Sequence, residues 1–169
     1  MIDGNSVERD AGRTTAEFPR FGSFSYAPED VFEFTWGLPG FPGLHRWIAL
    51  TLASQPNFVW LQSLDDLTVA VPTADPYAIF DTYAPRIPAS AIAALEIADP
   101  SDFTMLCVVV VTPQAEDMTM NLLAPILLNL KTRRGRQVAL ESSSYSVKTS
   151  IPRVVPAPPA ASATLSNAP

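Results

Sequence analysis

Short stretches in which apolar and polar residues alternate recur along the chain. In FGSFSY (21–26), Phe24 and Tyr26 face one way and Ser23 and Ser25 the other, the period of a half-buried strand. VFEFT (31–35) repeats the pattern. HRWIALTL (45–52), NFVWLQSL (57–64) and LTVAVPT (67–73) read as further strands, with Asp65-Asp66 at a hairpin tip between the last two. MLCVVVV (105–111) is continuously apolar and β-branched, which predicts a buried central strand. DMTMNLL (117–123) alternates again, with Met118 and Met120 on one side. PILLNLKT (125–132) and RQVAL (136–140) flank Arg133–Gly135 and predict a hairpin with glycine near its turn. YSVKT (145–149) is a last candidate strand.

Only PASAIAALE (88–96) reads as a helix. Pro88 stands near its start, alanine is frequent, and Ile92 and Leu95 share a face. Between strands the punctuation is dense: WGLPGFPG (36–43) holds three glycines and two prolines in eight positions and must be turn or loop. About ten short strands, mostly antiparallel, with turn signals every 8–12 residues and one short helix, predict an all-β sandwich or a single-domain, barrel-like fold. Residues 1–17 are polar without periodicity and read as a flexible arm. From 151 the chain becomes a Pro/Ala/Ser tail expected to stay disordered. The folded unit is therefore expected at 18–150.

Composition narrows the chemistry. The 169 residues suit one domain, 47% are apolar and 17% charged, so the chain can bury a core. Seventeen prolines bar long helices: twelve fall between Pro19 and Pro125, where they bound strands, and five lie in the tail. One histidine (His45) and one cysteine (Cys107) exclude an internal disulfide, zinc sites of several His and Cys ligands, and a Cys–His dyad unless those two meet. Neither metal nor cofactor is expected. The opening MIDGNSVERDAGR has no apolar core and does not read as a signal peptide. No apolar run approaches the ~20 residues of a spanning helix. With the lone thiol, this points to the cytoplasm.

Charge is unevenly spread. Up to Leu130 five basic residues face sixteen acidic ones, a net of about −11, whereas KTRRGR (131–136) packs four cations into six positions. An acidic body of this kind speeds encounter with basic partners and repels nucleic acid. The basic run serves as a solvated hairpin tip, or as the face of a small nucleic-acid-binding β-barrel, although no aromatic interleaves it. Cys107 sits among apolar neighbours, the setting of an inert thiol. His45 lacks an announced nucleophile and carboxylate, and adjacent aspartates point to opposite faces unless a turn converges them, so catalysis by His45 with Asp65 and Asp66 is the weaker reading. Trp36, Leu38 and Phe41 on the Gly/Pro loop either plug the barrel end or stand exposed as binding anchors. Trp60 and Leu61 belong to the core.

WGLPGF (36–41), PNFVWLQSLDD (56–66), VVTPQAEDMTMNLLAPILLNLKTRRGRQV (110–138) and Tyr145-Ser146 together resemble the bacterial flagellar assembly factor FliW family, in the same order and at similar spacing, over Phe21 to Thr149. Two departures stand out. The family's Phe-Pro-x-Gly-Leu-Pro-Gly-Phe is here Phe34-Thr35-Trp36-Gly37-Leu38-Pro39-Gly40-Phe41, and Lys148 stands where a histidine often follows the tyrosine. The resemblance implies a β-rich, barrel-like monomer that is not an enzyme and has two protein partners. One is flagellin, held before secretion. The other is the carbon storage regulator CsrA, a small RNA-binding dimer that represses flagellin translation and is antagonised, away from its RNA surface, by the freed factor. Contact candidates chosen by exposure and chemistry are Trp36, Leu38, Phe41, Gln62, Asp65, Asp66 and Asn121, with Lys131, Arg133 and Arg134 as a second patch.

Overall fold

The computed structural model describes residues 8–10, 12–141, 143–152 and 163–164. Its strands are β1 (Glu8–Asp10), β2 (Arg13–Phe18), β3 (Gly22–Tyr26), β4 (Val31–Glu33), β5 (Arg46–Leu52), β6 (Gln55–Ser63) and β7 (Ala70–Ala74). Helix α1 (Ala89–Ala94) follows, then β8 (Phe103–Val110), β9 (Thr119–Met120), β10 (Ile126–Asn129), β11 (Gly135–Gln137), β12 (Thr149–Ser150) and β13 (Ala163–Thr164). The all-β expectation holds, and the strand ladders are antiparallel throughout.

The main sheet runs β11-β10-β8-β7-β6-β5, with β4 added on β5. A single parallel bridge, Glu33 to Arg134, joins its two ends, carried by the Glu33 amide donating to the Arg133 carbonyl at 2.7 Å. That bridge brings the two ends together and closes the sheet into a barrel. The seam is too short to be a ladder. The loop after β4 completes it by running beside β11: Phe34 meets Gly135, and Trp36 lies under the Arg136 guanidinium at 4.6 Å.

Alternation sorts the strands' side chains into inside and outside sets. Inside lie Trp47, Leu61, Leu106, Ile126 and Leu128, with Phe32, Phe34 and Leu38. Trp47 is fully buried, edge-on to Phe34 (6.2 Å) and Phe41 (6.3 Å), and its indole N–H donates to the Leu44 carbonyl. The outer face of β5 and β6 (Ile48, Leu50, Trp60) is roofed by the small β1-β2-β3 sheet through Ala16, Phe18 and Phe24. The outer face of β8 and β10 (Met105, Cys107, Leu127) is covered by α1 and the connection before it through Tyr83, Ala91 and Leu95. Both outer faces are therefore apolar as well, which is why the strands read as near-continuous hydrophobic runs.

Three boundary expectations change. The arm expected over 1–17 is shorter: Arg13–Glu17 belong to β2, paired with β3, and Ala16 is buried. Only two apolar residues carry that strand's alternation, too few to stand out. Residues 1–7 and 11 of the arm lie outside the described residues. At the other end Ile151 is buried and its amide donates to the Met118 carbonyl, so the folded unit reaches past 150. Ala163 and Thr164 pair through their backbones with Leu52 and Thr51, and the remaining tail lies outside the described residues. In the β10–β11 hairpin the left-handed position is Arg133 (φ 57°), not glycine. Gly135 sits within β11 because a methyl there would come under 3.0 Å from three ring carbons of buried Phe34.

Among the described residues no helix is long and apolar enough to cross a membrane.

Candidate interaction surface

Strand register sets which loops share an end of the barrel. The 34–45, 64–69 and 111–118 connections gather at one end, and the 53–54, 75–102 and 130–134 connections at the other. Most sequence-chosen contact candidates come to the first end, but in different roles.

Trp36 is 59% exposed, the largest apolar side chain open to solvent among the described residues. Leu38, by contrast, is 3% exposed and packs inside the barrel, and Phe41 leans on Trp47. The loop is thus both plug and anchor: Leu38 and Phe41 plug, Trp36 projects. Gly37 makes the turn between them, with φ 65° and the Phe41 and Pro42 backbones so near that a Cβ has no room.

Gln62 is wholly buried and cannot be a contact residue as the chain stands. Its Nε2 lies 2.8 Å from the Ser63 carbonyl, 3.1 Å from that of Leu67 and 3.0 Å from that of Val69. It clamps the β6–β7 turn from beneath, and its Oε1 has no hydrogen-bond partner among the described residues. Asp65 is a clamp too. Its carboxylate accepts from the His45 amide (2.7 Å), the Arg46 amide (2.8 Å) and the Arg46 Nε (2.7 Å), pinning the turn to the start of β5. Desolvation pushes its pKa up, but those donors outweigh it and leave the carboxyl below its ordinary value. Asp66 accepts from the Thr68 hydroxyl and amide, which lowers its pKa, and otherwise faces solvent.

Asn121 sits at the same end. Its Oδ1 accepts from the Ala124 amide at 3.0 Å, and Gln137 Nε2 donates to the Ala124 carbonyl at 2.9 Å. Asn121 and Gln137 border a cavity of about 270 Å³ whose apolar walls include Leu38, Phe41, Val71 and Val108.

The second patch lies at the opposite end, and each of its cations has a partner within the chain. Lys131 Nζ is 2.6 Å from buried Asp102, whose hydrogen bond raises the lysine's pKa. Arg134 pairs with Glu96 at 2.9 Å, and the Arg133 guanidinium lies over the Phe32 ring at 4.7 Å. The basic run is therefore dispersed over an acid, a ring and a second acid rather than presented as one plane.

His45 and Cys107, which a Cys–His dyad would need side by side, sit in separate surroundings. His45 Nδ1 donates to the Phe34 carbonyl at 2.9 Å, in the closing loop. Cys107 is buried beneath Tyr83, and desolvation pushes its thiol up to about 12.

Three features of the fold have no counterpart in the sequence-based expectations. Val110 and Val111, expected in a buried run, are 51% and 48% exposed, at the end of β8 and just past it. Tyr83 and Tyr145 meet at 4.7 Å and tie distant segments, Tyr83 donating to the Leu122 carbonyl and Tyr145 Oη accepting from the Ala84 amide. Asn129 donates to the Leu95 and Glu96 carbonyls ending α1, and accepts from the Lys131 and Thr132 amides of the hairpin turn. A polar residue closing an apolar ILLN run is a usable signal for such a clamp; the tyrosines offer none.

The comparisons with known proteins agree with this architecture. The family described as FliW protein matches residues 15–151. The flagellar assembly factor FliW of Thermoanaerobacter pseudethanolicus is 36% identical over 129 residues, 76% of this chain and 86% of its own length. That of Pseudothermotoga lettingae is 36% identical over 130 residues, covering 76% and 83%. A crystal structure of the flagellar assembly factor FliW matches with a TM-score of 0.77 at 27% identity, covering 83% of this chain and 99% of that one.

Proposed function

This chain belongs to the FliW family of flagellar assembly factors, and from that premise we propose that it works by binding proteins rather than by catalysis. In this reading it holds flagellin before export. Once free, it binds CsrA and relieves repression of flagellin translation, acting in the cytoplasm as a monomer without cofactor.

The observation that carries the reading is the distribution of charge. The body is acidic, and at the loop-rich end Asp66, Glu116 and Asp117 form no ion pair among the described residues. A basic RNA-binding protein is drawn to such a surface, by rate more than by affinity. The same arrangement weighs against the nucleic-acid reading of residues 131–136. Phosphate binding needs free cations, whereas Lys131 and Arg134 are paired with acids and Arg133 and Arg136 lie on rings.

The test is retention of purified flagellin and of purified CsrA on the immobilised chain, under reducing conditions at moderate salt, with single-stranded RNA in parallel. Retention of both proteins and not of RNA supports the reading. Retention of RNA that is lost steeply with salt and with Arg133→Ala/Arg134→Ala overturns it in favour of the nucleic-acid barrel.

A further inference from the structure

The cavity at the loop-rich end differs in kind from an ordinary packing gap. Its apolar walls come from Leu38 and Phe41 of the closing loop, Val71 of β7 and Val108 of β8. Val110 points to the same side of β8 as Val108, two residues on, and stands half-exposed at the rim. At about 270 Å³ the space falls below the ~300–1,000 Å³ of sites that enclose a whole small ligand. It is the size for one large apolar side chain.

The polar border is what identifies the occupant. Asn121 uses its Oδ1, and Gln137 its Nε2, on the same peptide unit neighbourhood at Ala124, which fixes the orientation of both amides. Asn121 Nδ2 and Gln137 Oε1 are left without a partner among the described residues. One free donor and one free acceptor bordering one cavity match the carbonyl and N–H of a polypeptide backbone. Asp66 on the β6–β7 turn and Glu116 and Asp117 on the β8–β9 connection add negative charge at the same end, with no ion pair among the described residues.

From this we infer that the cavity is a socket for a partner protein: an extended segment bearing one large apolar side chain, flanked by lysine or arginine, docks there. The apolar side chain enters between Leu38, Phe41, Val71 and Val108. Asn121 and Gln137 take its backbone, and the carboxylates meet its basic neighbours. Such a pocketed anchor carries most of an interface's binding energy. The inference rests on the protein-binding reading and names its surface.

The experiment fills the socket and labels its rim. Val71→Phe occupies the cavity. Ala78→Phe, beside the cavity at the other end of the barrel, is the control. A photo-reactive phenylalanine at Val110 reports contact without touching the walls. Binding of purified flagellin and CsrA is measured for each, with melting temperatures. The expected result is that Val71→Phe weakens one of the two partners by at least about tenfold while Ala78→Phe does not, and that the Val110 label crosslinks to that same partner. If the unmodified chain binds neither protein, the reading of function fails. If it binds but the Val110 label captures neither, or joins only two copies of this chain, the socket is wrong whatever the function. Should Val71→Phe fail to fold, the crosslink alone decides.

Discussion

Replacing Gly135 by alanine tests the barrel seam directly. The substitution raises no backbone objection, since Gly135 is not in the left-handed region. What opposes it is space: the new methyl would lie under 3.0 Å from Cδ2, Cε2 and Cζ of Phe34, where carbon atoms prefer ~3.5–4.0 Å. Phe34 is fully buried, with the edge of Trp47 against it, so the ring has nowhere to turn. Overpacking of a tight core costs about 1–3 kcal/mol, and this site belongs at the upper end. Loss of glycine's unfolded-state freedom offsets about 0.4–1 kcal/mol. The net expectation is a loss of about 2–3 kcal/mol, or about 4–12 °C in melting temperature at about 2–4 °C per kcal/mol. Gly43→Ala is the matched control, with ordinary φ and nothing within 4 Å of the added methyl, and should leave stability unchanged or slightly raised. Phe34→Leu removes the obstructing ring carbons, so the double variant with Gly135→Ala should recover about 1 kcal/mol or more relative to additivity. Thermal and urea denaturation of the four chains gives the cycle. A Gly135→Ala chain as stable as Gly43→Ala, or strictly additive costs, would refute the close approach that shapes the seam.

Three further outcomes follow from the clamps. Gln62→Leu removes the donor shared by three carbonyls at the turn and should cost about 2–4 kcal/mol in urea denaturation; a loss under about 1 kcal/mol would show that the turn holds without it. Asp65 has a pKa below its ordinary 3.8, so its stabilisation is complete above that value and is lost as pH falls through the lower, folded pKa. The stability gap between the parent chain and Asp65→Asn should therefore be widest near neutrality and close at strongly acid pH, and a gap independent of pH would contradict the assignment. Cys107, buried and with its thiol pushed up to about 12, should resist thiol reagents at pH 8 in the folded chain and react at once in denaturant; fast labelling of the native protein would show that the cluster around Tyr83 opens.

Much of the fold was legible because its strands are short, apolar or alternating runs bounded by turn residues. The faces of Phe24 and Ser23, the burial of Trp60 and Leu61, and the single short helix starting at Pro88 all followed from spacing. What escaped was tertiary. Gln62 looks like a surface residue in sequence, yet the turn it supports folds back over it, so exposure cannot be inferred from polarity alone. Leu38 and Trp36 are two residues apart in one loop and part company only because that loop lies along β11. The acidic pair Asp65-Asp66 was correctly placed in a turn, but its division into a pinned Asp65 and an open Asp66 depends on Arg46, nearly twenty residues away in sequence. The cavity draws on five separate segments, and no local window contains it.

One competition measurement bears most directly on the two-partner reading. Labelled CsrA is titrated with the purified chain under reducing conditions, and purified flagellin is then added to the complex. The expected result is saturable binding of CsrA, weakened by salt as for an acidic surface meeting a basic partner, and a rise in free CsrA as flagellin takes up the chain. No binding of CsrA and none of flagellin, by a chain that melts cooperatively and is therefore folded, would contradict it.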